Sequence, residues 1–89
     1  MIEIFLDDGF KNCYKKLTKN NNDLKIKFYE KLTLFKENPY NPILKTHKLS
    51  GKLKDYSAFS IDYKTRVIFN FISHSKVLLI DIGYHDSVY

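Results

Sequence analysis

The spacing of apolar residues changes once along the chain, and this change limits the folds that are open to it. Between residues 8 and 37 apolar side chains recur every three or four positions, which is typical of helices with one buried face. From residue 56 to residue 82 they recur every second position, which is typical of strands. Helices followed by strands in so short a chain predict an α+β fold.

Two helices are predicted before the change. Asp7 and Asp8 can cap a helix over about residues 8–19, because their carboxylates accept hydrogen bonds from unpaired backbone N–H groups. Three asparagines at 20–22 form a turn, and any of them, or Asp23, could cap the next helix. The connection is short, so the two helices should be an antiparallel hairpin. Pro39 ends the second helix, of about 15 residues. Its apolar stripe consists of Leu24, Phe28, Leu32 and Phe35.

Four strands are predicted. Residues 2–6 (IEIFL) read as a central strand with both faces covered. The other three strands are predicted at 56–62, 66–72 and 77–82. Their hairpin-length connections favour an antiparallel meander, and Gly83 should break the last strand before a tail. The predicted order is β-α-α-β-β-β in one domain over residues 1–89, with the helix hairpin packed on a small, mainly antiparallel sheet.

The chain is basic, with a formal charge of +5 and with lysines concentrated in the predicted loop at 43–55. A positive potential on a small body favours phosphate-rich partners. An acidic protein partner fits the charge equally well, and a merely soluble basic protein has the same composition.

Several classes of protein are not expected. The lone Cys13 cannot form an internal disulfide, which points to a reducing, cytoplasmic setting and to a buried structural thiol. His47, His74 and His85 are too widely spaced to predict a metal site, and no cofactor is expected. The first residues lack the pattern of a signal peptide, and no apolar run approaches the roughly 20 residues of a membrane span.

Two segments carry a resemblance to a known family. Residues 47–69 (HKLSGKLKDYSAFSIDYKTRVIF) and 78–89 (LLIDIGYHDSVY) resemble the RelE/ParE toxin superfamily, in its YafQ-like or RelE/StbE-like branch of mRNA interferases. The resemblance implies a cytoplasmic toxin neutralised by a cognate antitoxin. It also implies a ribonuclease that enters the ribosomal A site, contacts 16S and 23S rRNA, and cuts mRNA without a metal by attack of a ribose 2′-OH on the adjacent phosphate.

Such cleavage needs a base, a cation beside the phosphorane and an acid for the leaving oxygen. The resemblance makes His85 the general acid and Arg66, the only arginine, the phosphate clamp. His85 could instead be an exposed histidine of the tail, and Arg66 could be a solvent-facing charge or pair with Asp62. His47 is a candidate base or phosphate contact, or a solvated loop residue. Tyr89 could stack on a base or anchor the core.

The remaining candidates would bind RNA. They are Lys45, Lys48, Lys52, Lys54 and Lys64, with Tyr84 as a weaker stacking candidate. A charge run in a loop is usually solvated surface, so only the cluster as a whole carries weight. The sequence departs from the family pattern where Ser60 and Lys64 replace a His and an Asp, and where Asp81 and Ile82 stand at the place of a second Arg. The identity of the base is therefore open.

Two alternatives share the fold. One is a ParE-like inhibitor of DNA gyrase without nuclease activity, and the other is an inactive homologue that only binds an antitoxin. The histidine near the end of the sequence favours the nuclease, because a gyrase inhibitor needs no proton donor there.

Overall fold

The computed structural model describes residues 1–84, in which two helices pack on a five-stranded, mainly antiparallel sheet. This architecture confirms the predicted α+β fold and the helix hairpin. Two short 3-10 turns lie at Pro42–Leu44 and Gly51–Leu53. The helices and strands are β1 (Glu3–Leu6), α1 (Asp8–Thr18), α2 (Asn22–Glu37), β2 (His47–Lys48), β3 (Ser57–Ser60), β4 (Thr65–Ser73) and β5 (Lys76–Tyr84).

Both helices begin at the polar residues that the sequence indicates. The Asp7 carboxylate accepts a hydrogen bond from the Gly9 N–H at 2.9 Å at the start of α1. The Asn21 side chain accepts one from the Leu24 N–H at 3.1 Å at the start of α2. Each bond satisfies a backbone donor that has no partner within the helix.

The prediction of a central first strand is wrong. The strand order is β1-β5-β4-β3-β2, so β1 lies at one edge of the sheet, parallel to β5. Phe5 and Leu6 are 40% and 42% exposed, as an edge position allows. A short apolar run has the same pattern in an edge strand as in a central one, so the sequence pattern does not distinguish the two.

The segment at 43–55 is more ordered than the predicted loop. It contains both 3-10 turns and β2, which pairs antiparallel with the first half of β3 and makes the sheet five-stranded rather than four-stranded. A two-residue strand has no periodicity to recognise, which is why the sequence does not reveal it.

The last strand also differs from the prediction, because Gly83 continues β5 instead of breaking it. Gly83 is opposite Arg66, and Tyr84 is opposite Thr65, in the antiparallel ladder with β4. Strand pairing uses the main chain, so a glycine weakens a strand without ending it.

Aromatic rings help to form the core between the helices and the sheet, and strand residues next to core residues in sequence point away from this core. Phe35 of α2 stacks on Phe59 with ring centroids 4.5 Å apart and meets Phe69 edge-on at 4.9 Å. All three rings are fully buried. Because side chains alternate along a strand, Ser60 and Arg66 lie on the opposite face from their neighbours Phe59 and Val67, which belong to the core.

Cys13 is half-buried on α1 and packs against the core. Burial, followed by the nearby Asp81 carboxylate, raises the pKa of its thiol. The thiolate is therefore disfavoured, as expected for a structural thiol. Among residues 1–84, no helix is long and apolar enough to cross a bilayer.

Candidate functional site

A cationic cleft of about 270 Å³ lies where β3 turns into β4, and we call it the Arg66 cleft. Three of its side chains are cations and one is an acid, so its net charge is positive. The lining residues are Lys31, Ile43, Lys45, Ser60, Ile61, Asp62, Tyr63 and Arg66. An anion such as a phosphate is the ligand that this charge favours.

The Arg66 guanidinium is held by the main chain of the preceding turn. Its Nη1 donates to the carbonyl oxygens of Asp62 at 3.1 Å and Tyr63 at 3.4 Å. Among residues 1–84, both hydrogen bonds described for the guanidinium use Nη1, so Nε and Nη2 can serve a second group. The contact with Asp62 is to its carbonyl and not to its carboxylate, so no acid neutralises Arg66 through these bonds.

The Asp62 carboxylate helps to order the same turn by accepting hydrogen bonds from its backbone. Its Oδ1 accepts hydrogen bonds from the backbone N–H groups of Lys64 at 3.1 Å and Thr65 at 2.8 Å. The Lys27 ammonium of α2 lies 3.9 Å from Oδ2. Burial acts to raise the pKa of Asp62, but the hydrogen bonds from Thr65 and Lys64 and the Lys27 charge outweigh it and hold the pKa below its usual value.

The residues paired with Arg66 on the neighbouring strands are small. Ser60 is its cross-strand partner on β3, and Gly83 is its partner on β5. Directly opposed side chains lie about 4.5–5.5 Å apart at Cβ, and Gly83 places no side chain there. Both Ser60 and Gly83 are buried.

Two lysines reach the Arg66 cleft from outside the sheet. Lys45 is exposed, follows the turn at Pro42–Leu44 and has a left-handed backbone with φ of 51°. Lys31 is half-buried on α2, one helical turn before Phe35, and sequence reasoning missed it. Its position beside the apolar stripe is a weak signal, because many helical lysines at such positions only cover apolar surface.

His47 is in β2, opposite Ala58, and does not line the Arg66 cleft. Its Nδ1 lies 3.0 Å from the carbonyl oxygen of Lys45. His47 and Lys48 instead line a cavity of about 310 Å³ that also includes Tyr40. The Nδ1 contact with the Lys45 carbonyl connects His47 indirectly to the Arg66 cleft, because Lys45 lines that cleft.

The other predicted RNA-binding residues are dispersed. Lys64 places its Nζ 5.6 Å from the centroid of the Tyr84 ring, a cation–π distance. These two side chains line a polar cavity of about 210 Å³ beside the start of α2, which shares Asp62 with the Arg66 cleft. Lys52 and Lys54 are exposed at the turn Gly51–Leu53 and line neither cavity.

Two predicted residues, His85 and Tyr89, lie outside the residues that the structure describes. Within residues 1–84, no group of three or more His, Cys, Asp or Glu side chains could hold a metal ion. The cations that line the Arg66 cleft are Arg66, Lys31 and Lys45.

The fold is similar to that of several known toxins. No protein-family model matches the sequence, and no curated protein matches it. A copper-bound mutant toxin from Helicobacter pylori is 25% identical, with a TM-score of 0.77 over 100% of both chains. YafQ from E. coli is 18% identical, with a TM-score of 0.80 over 100% of this chain and 99% of YafQ. A chain of the YoeB–YefM complex from Staphylococcus aureus is 22% identical, with a TM-score of 0.75 over 96% of this chain and 98% of that chain.

A helix hairpin on a sheet of this order, with YafQ and YoeB/ParE toxins as structural neighbours, gives this chain the α+β fold that these toxins have. This is the fold that the resemblance at residues 47–69 and 78–89 implies.

Proposed function

We propose that this chain is the toxin of a type II toxin–antitoxin pair and acts in the cytoplasm as a metal-independent endoribonuclease. Its substrate would be mRNA in the ribosomal A site, next to 16S and 23S rRNA. The observation that carries the proposal is the Arg66 cleft, in which a guanidinium fixed by the main chain keeps donors available beside two lysines. Structures of YoeB with YefM and of DinJ with YafQ support a cognate antitoxin as the protein partner.

Arg66 would stabilise the phosphorane formed when a ribose 2′-OH attacks the adjacent phosphate. Charge-assisted hydrogen bonds from a guanidinium are about twice as strong as neutral ones, and a planar fork matches two phosphate oxygens. The backbone carbonyls of Asp62 and Tyr63 fix the guanidinium before substrate arrives, so little ordering remains for the reaction. Lys31 and Lys45 would hold neighbouring phosphates.

In the proposed reaction two histidines would carry out the proton transfers. We assign His85 as the general acid that protonates the leaving 5′-oxygen and His47 as a candidate base. The Lys45 carbonyl beside Nδ1 of His47 favours the tautomer with a proton on Nδ1. Tyr89 and Tyr84 would stack on bases, and the lysines at 48, 52, 54 and 64 would contact RNA backbones.

Expression in cells followed by mapping of mRNA ends tests the proposal. New 5′-OH ends inside codons and growth arrest are expected for the native chain, and neither is expected for Arg66→Ala or His85→Ala. Lys76→Ala is the matched control, because it also removes one exposed cation but lies at the start of β5, outside the Arg66 cleft. Toxicity unchanged in both Arg66→Ala and His85→Ala would refute the mechanism.

The same experiment separates the alternatives. DNA breaks with an SOS response, without new mRNA ends, would identify a gyrase inhibitor. Tight binding of a neighbouring antitoxin without any growth arrest would identify an inactive homologue. Either result contradicts the nuclease assignment while leaving the fold unchanged.

A further inference from the structure

A second cavity lies at the other end of β4 and has a different character from the Arg66 cleft. We call it the Tyr40 cavity. Its volume is about 310 Å³, and it combines aromatic rings with hydrogen-bonding groups of both kinds. It is lined by Tyr40, His47, Lys48, Asp55, Ser57, Asn70 and Phe71, none of which lines the Arg66 cleft.

An aromatic platform is exposed at this cavity. The Tyr40 ring is 64% exposed and lies nearly parallel to Phe71, at 24° with centroids 6.4 Å apart. Phe71 supports one side of Tyr40, while much of the Tyr40 surface remains open to a ligand.

The backbone that carries Tyr40 is anchored at two points. The Asn38 side chain accepts a hydrogen bond from the Tyr40 N–H at 3.0 Å, and the Thr46 hydroxyl donates to the carbonyl oxygen of Pro39. A loop held in this way loses little conformational entropy when a ligand binds. An exposed aromatic on an anchored loop is therefore suited to stacking.

The polar groups around the ring match the edge of a nucleobase. Asn70 offers an amide with donors and an acceptor, and Asp55 offers a carboxylate. Amides pair well with adenine, and carboxylates accept from the amino group of cytosine. Lys48 supplies a cation for the adjoining phosphate.

The position of the cavity fits one RNA strand that reaches both sites. Arg66 and Asn70 are four residues apart on β4, whose pairing with β3 keeps one register from Arg66 to Phe69, although its register with β5 shifts between Ile68 and Phe69. At about 3.3 Å per residue this separation is about 13 Å. Stacked nucleotides rise about 3.4 Å each, so about four of them span this distance.

We propose that the Tyr40 cavity binds adenine or cytosine of single-stranded RNA, the bases whose amino groups match the amide of Asn70 and the carboxylate of Asp55. The base stacks on Tyr40 and presents its edge to Asn70 and Asp55. This inference rests on the proposed function for the identity of the polymer, and it assigns a specificity subsite several nucleotides from the phosphate held by Arg66.

Binding of fluorescent 2′-O-methyl RNA to the full chain at low salt tests the inference, because this RNA lacks the attacking hydroxyl and cannot be cut. Oligoadenylate should bind more tightly than oligouridylate. Tyr40→Ala should weaken oligoadenylate binding about fivefold to a hundredfold, the range for loss of one stacked base. Tyr40→Phe should bind like the native chain, and Asn70→Ala should reduce the preference for adenine over uracil.

Tyr29→Ala is the matched control, because Tyr29 is 55% exposed on α2 and does not line the cavity. If Tyr40→Ala does not fold, Tyr40→Leu takes its place. Leucine keeps apolar packing on Phe71 but has no aromatic ring on which a base can stack. The salt dependence of Tyr40→Ala should match that of the native chain, since no phosphate contact is removed.

Three results would overturn the inference: no RNA binding by the native chain, equal affinity for the two oligonucleotides, or Tyr40 variants that bind like Tyr29→Ala. These outcomes are distinct from failure of the proposed function. Cleavage that depends on Arg66 but not on Tyr40 refutes only the subsite. RNA binding that depends on Tyr40, without cellular mRNA cleavage, refutes only the nuclease.

Discussion

Nη1 of Arg66 donates a hydrogen bond to the carbonyl oxygen of Asp62 at 3.1 Å, so the arginine at the start of β4 is fixed by the turn that precedes it. The Asp62 carboxylate meanwhile accepts two N–H groups of the same turn. The geometry of the cation and the order of the turn are therefore coupled through one residue.

Arg66→Lys should lose most of the cleavage activity although it keeps the charge. A lysine ammonium is a point charge and cannot reach two backbone carbonyls and two phosphate oxygens as a planar fork does. We expect Arg66→Ala to lower the cleavage rate by about 10²–10³-fold, the usual effect of removing one donor to a developing oxyanion. The measurement is single-turnover cleavage of mRNA on programmed ribosomes, and an Arg66→Lys rate equal to that of the native chain would contradict it.

Asp62→Ala should both destabilise the turn and impair cleavage. Removal of the carboxylate leaves the N–H of the buried Thr65 without its acceptor, at a cost of about 1–3 kcal/mol, whereas water can replace the acceptor of the exposed Lys64 N–H. Asp62→Asn keeps an acceptor oxygen and should recover most of both properties. Urea denaturation and cleavage assays on the two variants measure this, and equal behaviour of Ala and Asn would exclude a positioning role.

Acid should remove the stabilisation that Asp62 provides. Its pKa in the folded chain is held below the ordinary value of 3.8, so the unfolded chain binds the proton more readily. The contribution is complete above about pH 4 and is lost as the pH falls through the lower, folded value. The urea midpoint should be measured between pH 3 and 7 for the native chain and for Asp62→Asn. At the acid end it should fall less steeply in Asp62→Asn than in the native chain. Identical profiles would show that Asp62 does not cause the loss of stability in acid.

Tyr14 should make the protein sensitive to alkali. Burial of its hydroxyl, with the neighbouring Tyr29 acting in the same direction, raises the pKa of Tyr14 to about 12. The unfolded chain loses this proton near pH 10, so the stabilisation is present below about pH 10 and is lost as the pH rises towards 12. Ultraviolet titration should show a late-titrating component that disappears in Tyr14→Phe, and its persistence in that variant would contradict the assignment to Tyr14.

Phe35→Ala should destabilise the fold far more than truncation of an exposed aromatic residue. The ring is fully buried between Phe59 and Phe69, and Phe-to-Ala changes in cores cost about 3–5 kcal/mol. Phe35→Leu should cost less, because it leaves a smaller cavity. Urea denaturation with Tyr29→Ala as the exposed aromatic control measures the difference, and similar losses in Phe35→Ala and Tyr29→Ala would contradict the packing described.

The helices and the three-stranded meander can be predicted from local sequence patterns. Periodicity of three to four, capping by Asp7 and Asn21, and hairpin-length connections each depend on residues close in the chain. The edge position of β1 and the pairing of β2 depend on contacts far apart in sequence, so no local pattern contains them.

The site shows the same division between local and long-range information. Arg66 stands out in the sequence because the other basic residues of the chain are lysines, and the structure gives it a cleft. Lys31 joins that cleft from α2, which only the tertiary fold brings near. His47 is close to Lys45 in the chain, yet the short strand β2 directs it to the Tyr40 cavity instead.

Because β1 pairs with β5, the sheet cannot be completed until β5 has been synthesised. Glu3–Leu6 finds its partner only when Lys76–Tyr84 has been synthesised, and pairing between such distant segments is slow compared with helix formation. A nascent chain that stops before β5 also lacks Gly83, the partner of Arg66 in the antiparallel ladder. Translation as far as Tyr84 therefore precedes completion of the sheet that carries Arg66, a delay that follows from the strand order.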